Sequence, residues 1–209
     1  EGKPSRRYLR TKALMYEDPQ LWHELMDKLG DMVIAYARAH FAAGGKAFQL
    51  FDSWVGALSP RDFERYVLPV IRRIFDGLAD LDMPKIYFPG VSSGELLPSL
   101  VGVKADVIGL DWRVPIREGR RRLGGRYAVQ GNLDPAVLTA PMNVIEEQAA
   151  EIIEQGLEEP GFVFNLGHGL FPEAHLDKIA ALTAFIHRYS ERRLRELAAG
   201  PAAREEKRA

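Results

Sequence analysis

Apolar positions along the chain follow two rhythms. Leu21, Leu25, Leu29, Met32, Val33, Tyr36 and His40 recur at helical spacing until Gly44-Gly45 interrupts them, which predicts one long amphipathic helix. Asp18-Pro19 supplies its cap and first-turn proline, and a shorter helix at about residues 6–16 precedes it. The second rhythm is a set of short runs rich in β-branched and aromatic residues, at 47–53, 85–90, 105–111, 127–135 and 162–166. They are too short for helices and read as buried strands. Helical patterns separate them. Ser59-Pro60-Arg61-Asp62 has a capping-box pattern opening a helix over 59–81, which Pro69 should bend. Ser92-Ser93-Gly94-Glu95 leads into a short helix, and others are predicted at 116–123, 141–155 and 173–197, the last starting behind Pro172.

Strands alternating with helices, each gap long enough for one crossover, argue for a parallel sheet covered by helices. Asp52 and Ser53, Ser92 and Ser93, Asp111 and Arg113, Asn132 and Asp134, and Asn165 and His168 then all follow the carboxyl end of a strand. Such residues converge on one face, which in parallel β/α architectures carries the active site. His168 stands between Gly167 and Gly169, which free the backbone for a positive φ or a close approach to a ligand. Five units in 209 residues, opening on helices, point to an α/β fold of the (β/α)8 TIM-barrel type with about its last five units present. The alternative is an open sheet complete in itself. The expected division is a partial barrel domain at 1–197 and a solvated tail at 198–209.

Composition narrows the classes. Formal charge is −1, from 28 basic and 29 acidic residues, so no global field draws nucleic acid or an anionic membrane, and neither is expected as a partner. Cysteine is absent, which removes disulfides and thiolate chemistry and is compatible with a reducing cytoplasm, the expected location. No apolar run approaches a membrane span. The chain starts at Glu1 rather than methionine and is read as a piece of something longer. His23 and His40, alone on a helix, are read as packing or surface residues, and Arg120-Arg121-Arg122 as a solvated helix face. For Arg113 two uses are open, a carboxylate clamp and a salt bridge to a neighbouring helix, and the salt bridge is the one expected.

Four strand-end motifs together carry a family likeness: Phe51-Asp52-Ser53-Trp54-Val55-Gly56, Val107-Ile108-Gly109-Leu110-Asp111-Trp112, Gln130-Gly131-Asn132-Leu133-Asp134-Pro135 and Asn165-Leu166-Gly167-His168-Gly169. In this order they resemble uroporphyrinogen decarboxylase, and the likeness runs to about residue 191. The resemblance implies a cofactor-free barrel enzyme, usually a homodimer. Its reaction removes carbon dioxide from the four acetate side chains of uroporphyrinogen III and gives coproporphyrinogen III. It also implies that Ser53 contacts substrate, that His168 is the histidine of the active cleft, and that Phe51 lies near the macrocycle. The family's arginine loop, its pyrrole-binding aspartate and its active-site tyrosine would lie upstream of Glu1, so this chain alone is expected to be inactive. The chemistry asks for cations to hold carboxylates and for a group that moves protons near neutral pH. Histidine, with an ordinary pKa of about 6.5, suits proton transfer or, protonated, a carboxylate clamp, and both roles stay open. Rival readings are a cobamide-dependent methyltransferase of the same fold, whose zinc would want thiolate ligands that this chain lacks, and a serine hydrolase on Ser53 and His168, which lacks the Gly-x-Ser-x-Gly elbow. A non-catalytic barrel remnant is the third.

Overall fold

The computed structural model describes residues 5 and 7–199. Two helices lead, α1 (Leu9–Glu17) and α2 (Pro19–Ala42), and five strands follow: β1 (Phe48–Phe51), β2 (Lys85–Phe88), β3 (Val107–Gly109), β4 (Ala128–Leu133) and β5 (Phe162–Leu166). Between the strands lie α3 (Pro60–Tyr66), α4 (Leu68–Asp76), α5 (Ile116–Arg122) and α6 (Met142–Gly156), with 3-10 turns at Val55–Ala57, Gly94–Leu100 and Pro135–Thr139. Helix α7 (Leu176–Ala198) closes the described chain. The predicted tail lies outside the described residues from 200 onward.

The helix ends follow from local chemistry. Asp18 accepts the backbone N–H of Leu21 at 3.0 Å, as an N-cap should. At the other end of α2, Gly44 takes a φ of 96°, and the N–H groups of Gly44 and Gly45 return to the carbonyls of Phe41 and His40. That paired return needs a left-handed residue, which glycine supplies without steric cost. Ser59 caps α3 by accepting the Asp62 N–H at 3.2 Å. The single helix expected at 59–81 is two helices in the structure. Pro69 has no N–H for the carbonyl one turn back, so the chain breaks at Val67 (φ −123°, ψ −47°) and restarts as α4. The last helix also begins later than expected, at Leu176. Behind Pro172 the chain first makes a turn, closed by the Ala174 N–H on the Phe171 carbonyl at 3.0 Å.

All four strand pairings are parallel, in the order β1-β2-β3-β4-β5. Strands two residues out of phase share a face, and here each face has its own role. Phe48 and Leu50 of β1, Tyr87 of β2, Ile108 of β3, Val129 of β4 and Phe162 of β5 turn outward into the helices, where Phe63, Phe75, Leu96, Leu97 and Leu100 complete the main core. A second cluster of Leu133, Leu138, Ile145 and Leu182 joins α6 and α7 to the sheet. The opposite face is concave. In a flat sheet, strands β1 and β4 would lie about 14 Å apart. Yet Gln130 of β4 donates to Gln49 of β1 at 3.4 Å, and the loops after β1 and β5 bring Trp54 and His168 to a ring separation of 6.4 Å. The sheet therefore curls into an arc, the geometry of a barrel wall.

Candidate functional site

An open cleft of about 790 Å³, counting its mouth, lies at the carboxyl end of the concave face. Gln49, Phe51 and Ser53 line it from β1 and its loop, Phe88 and Gln130 from β2 and β4, and Asn165 and His168 from β5 and its loop. The three residues expected to form the site, Ser53, Phe51 and His168, thus share one cavity. Two larger grooves lie elsewhere. One runs among α1, α2 and β1 and the other between α7 and β5; both are mostly apolar, and neither is lined by Ser53 or His168.

Ser53 is set by an interlock of two loops. Gly90, after β2, has a φ of 71°, and a Cβ there would stand 2.3 Å from the carbonyl oxygen of Ser53. A Cβ on Gly56 would stand 2.1 Å from the Val91 oxygen. Only glycines let these backbones approach so closely, and the approach holds the end of β1 against the end of β2. Among the described residues no hydrogen bond joins Ser53 to His168.

His168 is half-buried between two indoles. Trp54 lies 6.4 Å from it at 55°, and Trp112 lies 6.4 Å from it edge-on at 81°. Neither flanking glycine has a positive φ, so of the two uses expected for them the left-handed turn is the one not taken. Gly167 serves proximity instead: a Cβ there would stand 2.7 Å from the Trp112 nitrogen and 2.9 Å from its Cβ. The loop after β5 rests directly on the loop after β3, and that contact fixes the histidine beside Trp112.

Other strand-end residues turn out to build the scaffold. Asp111, 2% exposed, accepts the Ser92 N–H and is paired with Arg113 Nη1 at 2.9 and 3.1 Å. Arg113 therefore bridges within its own loop rather than to a neighbouring helix, because a buried carboxylate two residues away offers the shorter reach. Asn132 donates to the carbonyls of Asp111 and Val114 at 2.8 and 2.6 Å, Ser93 donates to the Gly90 carbonyl, and Asp134 caps the turn at Pro135–Thr139. Arg120 is also not on a solvated face. It stands one turn beyond the buried Ile116, itself only 6% exposed, and reaches the carbonyls of Gly156 and Gly161. Arg121 does face outward, paired with Glu118, whereas Arg122, with its side chain only 25% exposed, lies between Glu118 and Glu95. His23 stacks on Tyr66 and His40 lies against Tyr36, as packing residues.

Four participants were not anticipated: Gln49 and Gln130 on the inner wall, and Trp54 and Trp112 around the imidazole. Their signal was available, since each glutamine alternates with outward apolar residues and each tryptophan follows directly on a strand-end polar residue. Among the described residues no group of three His, Asp or Glu side chains is placed to hold a metal ion.

Comparison with known proteins adds the family. A family model described as uroporphyrinogen decarboxylase matches residues 1–189. The uroporphyrinogen decarboxylase of Halalkalibacterium halodurans is 53% identical over 190 residues, which is 91% of this chain and 55% of that protein. That of Bacillus cytotoxicus is 51% identical over 194 residues, or 93% of this chain and 55% of that protein. The chain spans about half the length of the curated relatives it matches. Among solved structures, a methyltransferase from Methanosarcina mazei superimposes with a TM-score of 0.76 at 18% identity, covering 85% of this chain and 52% of that one. At that identity the likeness shows the fold alone.

Proposed function

Because the chain belongs to the uroporphyrinogen decarboxylase family, we propose that the intact protein removes carbon dioxide from the four acetate side chains of uroporphyrinogen III, giving coproporphyrinogen III. The observation that supports this most directly is the convergence of Ser53, Phe51 and His168 on one cleft at the carboxyl end of a curved parallel sheet. The reaction needs a sink for the electron pair released when the C–C bond to the carboxylate breaks. Protonating the electron-rich pyrrole provides that sink: the pair of the breaking C–C bond flows toward the ring as carbon dioxide leaves, a proton then reaches the exocyclic carbon to make a methyl group, and the proton first placed on the ring departs to restore the neutral pyrrole. His168 serves this chemical step. The Trp54 and Trp112 rings on either side restrict where its imidazole points and shield it from bulk water. Ser53 orients substrate by hydrogen-bonding a carboxylate, a task that requires no activating base. Phe51, 65% exposed, offers an apolar face to the macrocycle.

A homodimer working without a cofactor in the cytoplasm belongs to the same reading, and the cysteine-free composition is compatible with a reducing compartment. The test is His168→Asn in the intact protein. Decarboxylation should fall, and partly decarboxylated intermediates should accumulate. Turnover and product distribution that match wild type from pH 5 to 8, a window around the ordinary histidine pKa of about 6.5, would sink the assignment.

A further inference from the structure

Outside the residues that line the cleft, a cation stands one ring away from His168. Arg113 follows Trp112, the indole that meets His168 edge-on, and its guanidinium lies over that indole at 4.0 Å from the ring centroid. One guanidinium nitrogen, Nη1, is taken by Asp111, which is itself buried and fixed by the Ser92 and Arg113 backbone N–H groups. Stacking and pairing together hold the plane of a side chain that is still 49% exposed. The Nε and Nη2 edge has no partner among the described residues. That edge presents two parallel N–H groups, the fork that matches a carboxylate bidentately.

We propose that Arg113 is a carboxylate-binding residue of this site, taking one acidic side chain of a tetrapyrrole that overhangs the cleft. The proposal rests on the decarboxylase reading for its substrate but on Arg113, Trp112 and Asp111 for its chemistry. The carboxylate it takes is a non-reacting one. An ion pair on the departing group would hold negative charge on the carboxylate in the ground state, whereas charge leaves that group in the transition state, so the pair would oppose reaction. A contact made equally before and during reaction acts on KM and spares kcat.

Removing Arg113 outright would strip a buried carboxylate of its partner and risk the fold. Arg113→Lys keeps the positive charge for Asp111 and deletes the fork, so it is the informative variant; Arg113→Gln is the second. Two measurements on the intact protein separate this proposal from the decarboxylase reading. In the first, wild type turning over uroporphyrinogen should be compared with Arg113→Lys, for which KM should rise about 10-fold, as expected for a lost charged hydrogen bond, with kcat within about twofold. In the second, binding of coproporphyrin and of its tetramethyl ester is read by quenching of tryptophan fluorescence. Wild type should prefer the free acid, and Arg113→Lys should lose about 10-fold of that preference. If wild type has no decarboxylase activity but the acid preference disappears in Arg113→Lys, the carboxylate site stands and the reaction assignment falls. Active wild type with unchanged KM and unchanged acid preference in both variants would overturn the role of Arg113.

Discussion

Asp52 precedes Ser53 by one residue, yet its side chain turns to the other face of the sheet and meets the hydroxyl of the fully buried Tyr87 at 3.0 Å. Burial pushes this carboxyl up from 3.8 to about 6, and the hydrogen bond from Tyr87 opposes the shift without cancelling it. The same burial, together with the nearby carboxylate, pushes Tyr87 well above its ordinary value. The consequence for stability has a definite sign. Between pH 3.8 and about 6 the folded chain keeps a proton that the unfolded chain releases, so stability from this group falls as pH rises through that window and stays lower above it. Asp52→Asn removes the charge while leaving an oxygen for Tyr87. It should gain up to about 3 kcal/mol over wild type at pH 7.5 and much less at pH 4.5, measured by urea unfolding. An equal loss at both values would show that the carboxylate is needed for something burial does not explain. None of this was legible in the sequence, where Asp52 and Ser53 look like one polar strand end. Their separation onto two faces comes from the strand's two-residue period, and the partner comes from β2.

At the scale of elements, α2 is the helix whose partner is least complete. Leu21, Leu25, Leu29, Met32 and Tyr36 recur every three or four residues along one stripe, and all of them are exposed. Beside it, β1 pairs only with β2 among the described residues, and β5 only with β4, so both outer edges of the sheet have free backbone donors and acceptors. An amphipathic stripe and two open edges invite another chain. The chain as it stands, residues 1–209, should therefore self-associate in sedimentation velocity at micromolar concentrations, and it should release no measurable carbon dioxide from uroporphyrinogen. Each large apolar side chain covered contributes about 1.5 to 3 kcal/mol, so a few suffice to drive association. A single monomer boundary with turnover would refute this. The stripe was legible as periodicity, as were the caps at Asp18 and Ser59. The break at Val67 was visible only as a bend, because Pro69 marks where a hydrogen bond is lost but not whether neighbouring packing favours a curve or two separate helices.

For the whole molecule, the order of strands and helices could be read almost directly, since alternating βα units leave few topologies open. Curvature was expected from the count of βα units and the family likeness, not from the apolar pattern itself. A flat sheet and an arc have the same alternation of inward and outward residues, and only the reach of Gln130 to Gln49 and of Trp54 to His168 distinguishes them. One feature of that arc governs how the molecule comes into being. Strand order along the sheet is the same as strand order along the chain. Each strand after β1 therefore pairs with one already made, and among the described strands β1 alone waits, for the β2 that follows it. Assembly on the ribosome can proceed one βα unit at a time, with a growing edge that moves outward as the chain emerges. Nascent chains stalled after α5 should already protect β1 to β3 from protease, and those stalled after α6 should protect β4 as well. Protection that arrived all at once, only when β5 had cleared the exit tunnel, would mean that the arc closes as a unit and that its strands are not laid down in turn.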